Sequence, residues 1–403
     1  MCICTPVDKP EKKEETTYMS IGNFADTTVK IQQTELQKNQ RIIVVSDIHG
    51  YADYLEGVLK KVGYTNQDAL VIVGDMIEKG PESLKTVRYI LKLKEENPHI
   101  YATIGNVDYS RLKEYFNDSA EGDINFIKGL SWSKNVWKCG FFLDILEDLG
   151  IDFDDVTEGN AGEIKHRIDE NYRKELDFFK DLPTILAIGN YIFVHAGIPT
   201  DNLQELEGTE CFPYLKQDAF LDTDVAFQKT VIVGHWPVCL YREDIDCMNP
   251  IFNYDKRVIA IDGGCALKNG AQLNALLIPD AYAAMEEIIY DSYDDYPVIV
   301  ADHAQESQAK TLVIRYYDCQ VELLEEDEKK DEKECDMRRV RHVSLGREFW
   351  VPQSFLYKGK DGIYCSDYSD ARLEVKQGDR LSVIEKTSAG YIVKKGGVIG
   401  WYE

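Results

Sequence analysis

Six side chains able to hold a metal ion stand just after short apolar runs in this sequence. Asp47 and His49 follow Ile42-Ile43-Val44-Val45, Asp75 follows Leu70-Val71-Ile72-Val73, and Asn106 follows the run ending at Ile104. His195 follows Tyr191-Ile192-Phe193-Val194, and His235 follows Thr230-Val231-Ile232-Val233. Oxygen and imidazole donors with no thiolate suit manganese, iron or zinc better than a soft metal. Three carboxylate or amide groups plus three imidazoles are too many for one ion. They fit two ions about 3.5–4 Å apart that share a carboxylate, a pair that activates water for in-line attack on phosphorus. Asp47 and His49 are two residues apart, so both can face one way while the chain is extended. The adjacent glycines allow close approach and sharp turns. A lone histidine in such a place is more often a satisfied core or loop residue.

Side chains so far apart in the chain meet only if strands deliver them. The carboxyl ends of strands in an α/β sheet open on one crevice. Strands are expected at 42–45, 70–73 and 99–104, then at 191–194, 230–233, 258–261 and 273–278. Tyr54, Val58 and Val62 recur at steps of four, and Leu84, Val87 and Leu91 share one side of a second helix over 83–95. This β-α-β-α-β alternation reads as a doubly wound start. Ile164, Ile168, Tyr172 and Leu176 predict one helix over 163–180, ended by Pro183.

In their order, DIHG, GDMIEKG, GNVD, VHAG and GHWPV resemble the calcineurin-like metallophosphoesterase superfamily. The GHWP form and the IDGGC segment with Leu273-Asn274-Ala275-Leu276 are most similar to bacterial Ser/Thr protein phosphatases and diadenosine tetraphosphatases. The resemblance covers about residues 41–280. It implies an α/β fold, a β-sandwich flanked by helices, and two divalent or trivalent transition metal ions. Asp47, His49 and Asp75 would hold the first ion, with Asp75 bridging, and Asn106, His195 and His235 would complete the second. His99, His166, His303 and His342 match nothing in the family and are read as ordinary polar positions.

Three departures bear on mechanism. The family's third motif carries a histidine that protonates the leaving oxygen, and here that position is Val107. Loss of a general acid costs roughly 10²–10⁴-fold for poor leaving groups. Asp108 keeps the acid that follows. Lys79 stands where an arginine normally grips the phosphate, and Lys216 is the closest basic residue to a second such arginine. An ammonium is a point charge without the planar bidentate grip of a guanidinium. Asp75, Asp108, Lys79 and Lys216 are therefore the expected catalytic group, around an intact metal set with altered surroundings.

Composition bounds the rest. The chain has 403 residues, with 46 Lys plus Arg against 71 Asp plus Glu, a formal charge of −25. Hydrophobic residues make up 44%, which supplies a core and excludes wholesale disorder. The acidic balance argues against a nucleic-acid polymer or an anionic membrane as partner. No apolar stretch is long enough for a membrane span, and no apolar leader follows Met1. Ten cysteines without a CxxC pair read as free thiols in a cytoplasmic protein, Cys2 and Cys4 being an incidental pair.

The expected organisation is an N-terminal extension over 1–40, the metallophosphoesterase domain over 41–320, a charged linker over 321–349, and an all-β module over 350–403. That last module resembles a bacterial SH3-like barrel through Gly378 to Glu385, Gly390-Tyr391 and Gly397 to Trp401. Its Tyr364, Tyr368, Tyr391 and Trp401 could line a peptide groove or, in the favoured reading, fill the small core. Three functions fit. The leading one is a phosphoesterase acting on a phosphorylated protein, as Ser/Thr phosphatases do. The second is a phosphodiesterase or nucleotide polyphosphate hydrolase. The third is a non-enzymatic scaffold that binds phosphate or peptide.

Overall fold

The computed structural model describes residues 27–308, 311–324 and 336–403. Strand Ile42–Val45 pairs in parallel with Ala69–Val73, which pairs in parallel with Ile100–Thr103. Leu273–Ile278 and Ile289–Tyr293 complete this five-stranded sheet as antiparallel neighbours. A six-stranded sheet runs in the order Ile31–Thr34, Ile185–Ile188, Tyr191–Val194, Thr230–Val233, Val258–Ala260, Ile251–Asn253. Ile31–Thr34 comes from the N-terminal extension.

The two sheets pack face to face. Ile42, Val44, Val71 and Val73 share one buried cluster with Leu186, Phe193, Ile232 and Ile259. The alternate residues Ile43, Val45, Leu70 and Ile72 belong to another cluster with the helical residues Leu55, Val58, Val87 and Leu91. Both faces of these strands are thus covered, and all their residues are buried. The architecture is a β-sandwich flanked by helices. The doubly wound start holds for one sheet only. The strands that carry His195 and His235 belong to the opposite sheet, a division that apolar runs cannot report because runs buried on both faces look alike.

The helices Ala52–Lys61 and Ser83–Glu96 fall where their periodicity places them. The single helix expected over 163–180 is two, Ala161–Asn171 and Arg173–Lys180. Tyr172 breaks it with φ −123° and ψ 25°. Its ring is buried and its hydroxyl donates to Asp148, so tertiary contacts override the local pattern there.

The all-β part also departs from expectation. Gln320–Leu323 pairs antiparallel with Met337–His342, and that strand with Glu348–Pro352. Leu356–Lys358 and Ile363–Cys365 complete their five-stranded sheet. The segment expected as a linker over 321–349 therefore supplies sheet strands. Val321, Met337 and Val340 face inward while Glu322 and Arg341 face water, an alternation hidden by the neighbouring charges. The acidic run 325–334 lies outside the described residues, as do Cys2 and Cys4.

Arg380–Thr387, Gly390–Lys395 and Val398–Tyr402 form a sheet whose fourth strand, Val298–Val300, comes from far upstream. Residues 350–403 do not close by themselves. They also dock on the sandwich: Met248 N donates to Gly397 O at 2.8 Å, and Lys394 Nζ to Gly270 O at 2.9 Å. Tyr368 and Trp401 are buried, with Trp401 Nε1 donating to Tyr368 Oη, while Tyr364 and Tyr391 are half-buried. Among the described residues no helix is long and apolar enough to cross a membrane.

Candidate metal centre

The loops after the two strand sets meet where the sheets open. The turns after Val45 and Val73 are laced together. Asp47 N donates to Gly74 O at 3.2 Å, His49 N to Asp75 O at 3.0 Å, and Gly50 N to Met76 O at 2.9 Å. Across the sandwich, Gly234 N donates to His195 O at 2.9 Å and His235 N to Asp47 Oδ2 at 3.0 Å. Asp47, His49, Asp75 and His235 all adopt left-handed backbone, with φ of 53°, 47°, 47° and 64°. Such residues cost about 1–3 kcal/mol each and persist only where surrounding contacts fix them. Strain here is concentrated on four of the six expected ligands.

The donor atoms converge in two groups. Asp47, His49 and Asp75 each present one atom, all within 4.8 Å of one another. Asp75, His195 and His235 do the same. Asp75 joins both groups: its Oδ2 lies 3.6 Å from His49 Nε2, and its Oδ1 lies 3.4 Å from His195 Nε2. Asn106 Oδ1 lies 3.0 Å from the same His195 nitrogen. The Nδ1 atoms of His49 and His195 face the carbonyls of Ile77 and Val73 at 3.2 and 3.0 Å. A carbonyl only accepts, so Nδ1 carries a proton in both rings, and Nε2 is the ring nitrogen turned towards the centre. Asp47 Oδ1 is buried with no hydrogen-bond partner. A bare carboxylate oxygen there is costly unless a cation faces it. The donors and this orphaned oxygen fit a pair of hard or borderline ions.

Charge sorts the buried groups. Burial and then Asp262 push the Asp47 carboxyl well above its usual range. Burial pushes Asp75 up as well, but His195 and His49 outweigh it and hold the group well below. Burial, helped by Lys79, takes His49 down to about 3. Burial alone would lower His195, yet Asp75 and Asp47 raise it to about 9. Burial brings His235 down to about 4.

Asp108 does not face the centre as an acid. It is fully buried, and its oxygens accept from the backbone N–H groups of Met76, Ile77 and Gly105 at 3.0, 3.2 and 3.1 Å. Burial, then Asp75, raises it to about 7. It braces the loop that carries Asp75 against the one that carries Asn106, which makes it a positioning residue. Val107 N donates to Asp75 Oδ1 at 2.9 Å, and its side chain is buried. Lys79 Nζ lies 3.2 Å from His49 Nε2. Lys216 Nζ lies 3.2 Å from His235 Nε2 and 2.6 Å from Asp218 Oδ1.

Three further residues belong to this neighbourhood and received no role from the sequence. Asp218 Oδ1 lies 3.0 Å from His235 Nε2, and that contact, joined by Lys216 and outweighing burial, takes the carboxyl down to about 2. Asp262 is buried with Oδ2 unpartnered, and burial pushes it up to about 6. Its signal was the DGG turn after an apolar strand. Glu78 accepts from Phe141 N at 2.9 Å and Ser133 Oγ at 2.7 Å, tying the Lys79 loop to the start of the helix Phe141–Asp148 and to Ser133 before it. It lies inside GDMIEKG, but nothing in that motif marked this bracing role.

Residues 40–263 match the family model described as calcineurin-like phosphoesterase. The chain belongs to that family. It is a metal-dependent hydrolase with two metal ions, as this calcineurin-like phosphoesterase site is built to hold. The chain is 27% identical over 284 residues to a bis(5'-nucleosyl)-tetraphosphatase (asymmetrical) of Oceanobacillus iheyensis, a match covering 64% of this chain and 98% of that protein. It is 35% identical over 103 residues to a symmetrical bis(5'-nucleosyl)-tetraphosphatase of Buchnera aphidicola, covering 22% of this chain and 37% of that one. A Ser/Thr phosphatase structure from Saccharomyces cerevisiae aligns at 13% identity and a TM-score of 0.40, over 67% of this chain and 84% of that one.

Metal removal has an expected result. A chelator should lower the melting temperature, and manganese should restore it, because ions bind only the folded cluster. At free ion about 100-fold above Kd the gain is ~2.7 kcal/mol. Calorimetry reads this directly, and a melting curve indifferent to both additions counts against the centre.

Proposed function

We propose that this calcineurin-like phosphoesterase hydrolyses phosphoanhydrides of nucleotide polyphosphates, with aryl phosphates as lesser substrates. The observation that carries the reading is Val107. Its backbone N–H is committed to Asp75 and its side chain has no proton to give. An alkoxide leaving from a phosphoserine needs that proton, whereas a leaving phosphate does not. The contacts at the centre support the same substrate. They run Lys79, His49, Asp75, His195, His235, Lys216, with an ammonium at each end. A chain of phosphates can meet both cations in turn, while a single monoester meets one.

When bound, the ions supply an activated water and neutralise charge on the phosphoryl oxygens. The chain's own residues do the rest. Ile77 O and Val73 O fix the tautomers of His49 and His195, Asp108 fixes the loops, and Asp218 holds Lys216 beside His235. Lys79 and Lys216 bind phosphate oxygens as point charges. The seven described cysteines are free, which supports a reducing, cytoplasmic setting.

The test compares a dinucleoside tetraphosphate, an aryl monoester and an aryl diester on manganese-loaded protein. The expected kcat/KM is about tenfold or more higher for the tetraphosphate. A clear monoester preference overturns the reading and returns the protein to the phosphatase class. Metal-loaded protein that cleaves none of the three leaves the scaffold reading. Val107→His gives an independent check. It should raise rates on alkyl monoesters by about tenfold or more, and raise tetraphosphate rates far less.

A further inference from the structure

Trp236 directly follows the ligand His235, and its ring meets Tyr316 at 6.4 Å between centroids, at 71°. Tyr316 meets Tyr317 at 5.5 Å and 78°. These two tyrosines are the central residues of a tight turn closed by Asp318 N donating to Arg315 O at 2.9 Å. Turn centres favour glycine, asparagine, aspartate or proline. Here two large rings occupy them and remain 48% and 53% exposed. The turn is rigidly held: Arg315 Nη1 bonds Asp246 Oδ1 at 2.9 Å, with both side chains 3% exposed. Lys268 Nζ lies 5.1 Å from the Tyr316 ring centre and pairs with Asp367. An ordered aromatic ledge, contributed from outside the sandwich, thus reaches Trp236, the residue next to His235.

We infer that Tyr316, with Trp236 and Tyr317 beside it, is a stacking platform for the nucleobase of the substrate. The inference rests on the nucleotide polyphosphate reading and assigns its base subsite. A base attached through ribose to the phosphate chain is planar and uncharged. About half of the surface of Tyr316 and of Tyr317 is exposed, which gives a base ring area to stack on beside the Lys268 ammonium. Stacking on one such ring changes affinity by roughly 5- to 150-fold.

The experiment uses the manganese-loaded full chain and two calorimetric affinities, for ADP and for inorganic diphosphate. The readout is their ratio, taken for wild type, Tyr316→Ala and Tyr316→Phe. Wild type should prefer ADP, Tyr316→Ala should lose about tenfold of that preference, and Tyr316→Phe should keep most of it. A wild type without preference, or an unchanged ratio in Tyr316→Ala, overturns the platform. Hydrolysis of the dinucleoside tetraphosphate by wild type is scored separately. Cleavage with an unmoved ratio sinks the platform alone. A ratio lost in Tyr316→Ala without cleavage sinks the hydrolase reading alone.

Discussion

Asp75→Asn is expected to reduce kcat/KM by about 10²–10³-fold and to cut the bound metal from two equivalents towards one. Asp75 is the one side chain present in both donor groups, with an oxygen towards each of His49 and His195. Asparagine keeps its size but replaces one acceptor oxygen with a donor amide and removes the charge. A metal pair stabilises the transition state by several kcal/mol, and each 1.36 kcal/mol is about tenfold in rate. Elemental analysis beside kinetics checks this. Two equivalents of metal retained with near-normal rates would show that Asp75 does not bridge.

Gly105→Ala should be nearly as damaging, although Gly105 donates no ligand. Its backbone, at φ −100° and ψ 172°, suits any residue. The obstacle is space: an added Cβ would lie 2.1 Å from Asp75 Oδ1 and 2.2 Å from Asp75 N. The second contact is backbone, so the loop itself must move. Gly105 N also holds Asp108 Oδ2 at 3.1 Å. A displacement near 1 Å at a reacting centre costs about 10²-fold, and forced overpacking about 1–3 kcal/mol of stability. Gly162→Ala is the comparison, since its Cβ meets nothing nearer than 3.9 Å. Thermal melts and turnover of both variants decide. Equal activity in the two would mean that close approach at Gly105 is not what positions Asp75.

The legibility of this fold varied by element. Runs such as Ile42–Val45 announce strands because alternate side chains are all apolar, and the helices that cover them show their own period. The strands at 321–323 and 337–342 were hidden because their outward faces carry charge beside an acidic run. The break at Tyr172 was hidden because a buried ring and its bond to Asp148 decide it. The site shows the same division. The six expected ligands stood out through residue type and place. The roles of Asp218, Asp262 and Glu78 did not, because they consist only of whom those side chains touch.

Sequence alone offered the inventory: which side chains have donors for a metal, that they follow apolar runs, and that position 107 has no proton to offer. Those are properties of residue type and local period, and they survive without coordinates. Only the tertiary structure decided that Asp108 is a brace, that a lysine stands at each end of the donor row, and that Tyr316 packs beside Trp236. These are relations between residues from 32 to 137 positions apart. Packing of two sheets and a docked β-region sets them, and no local pattern encodes them.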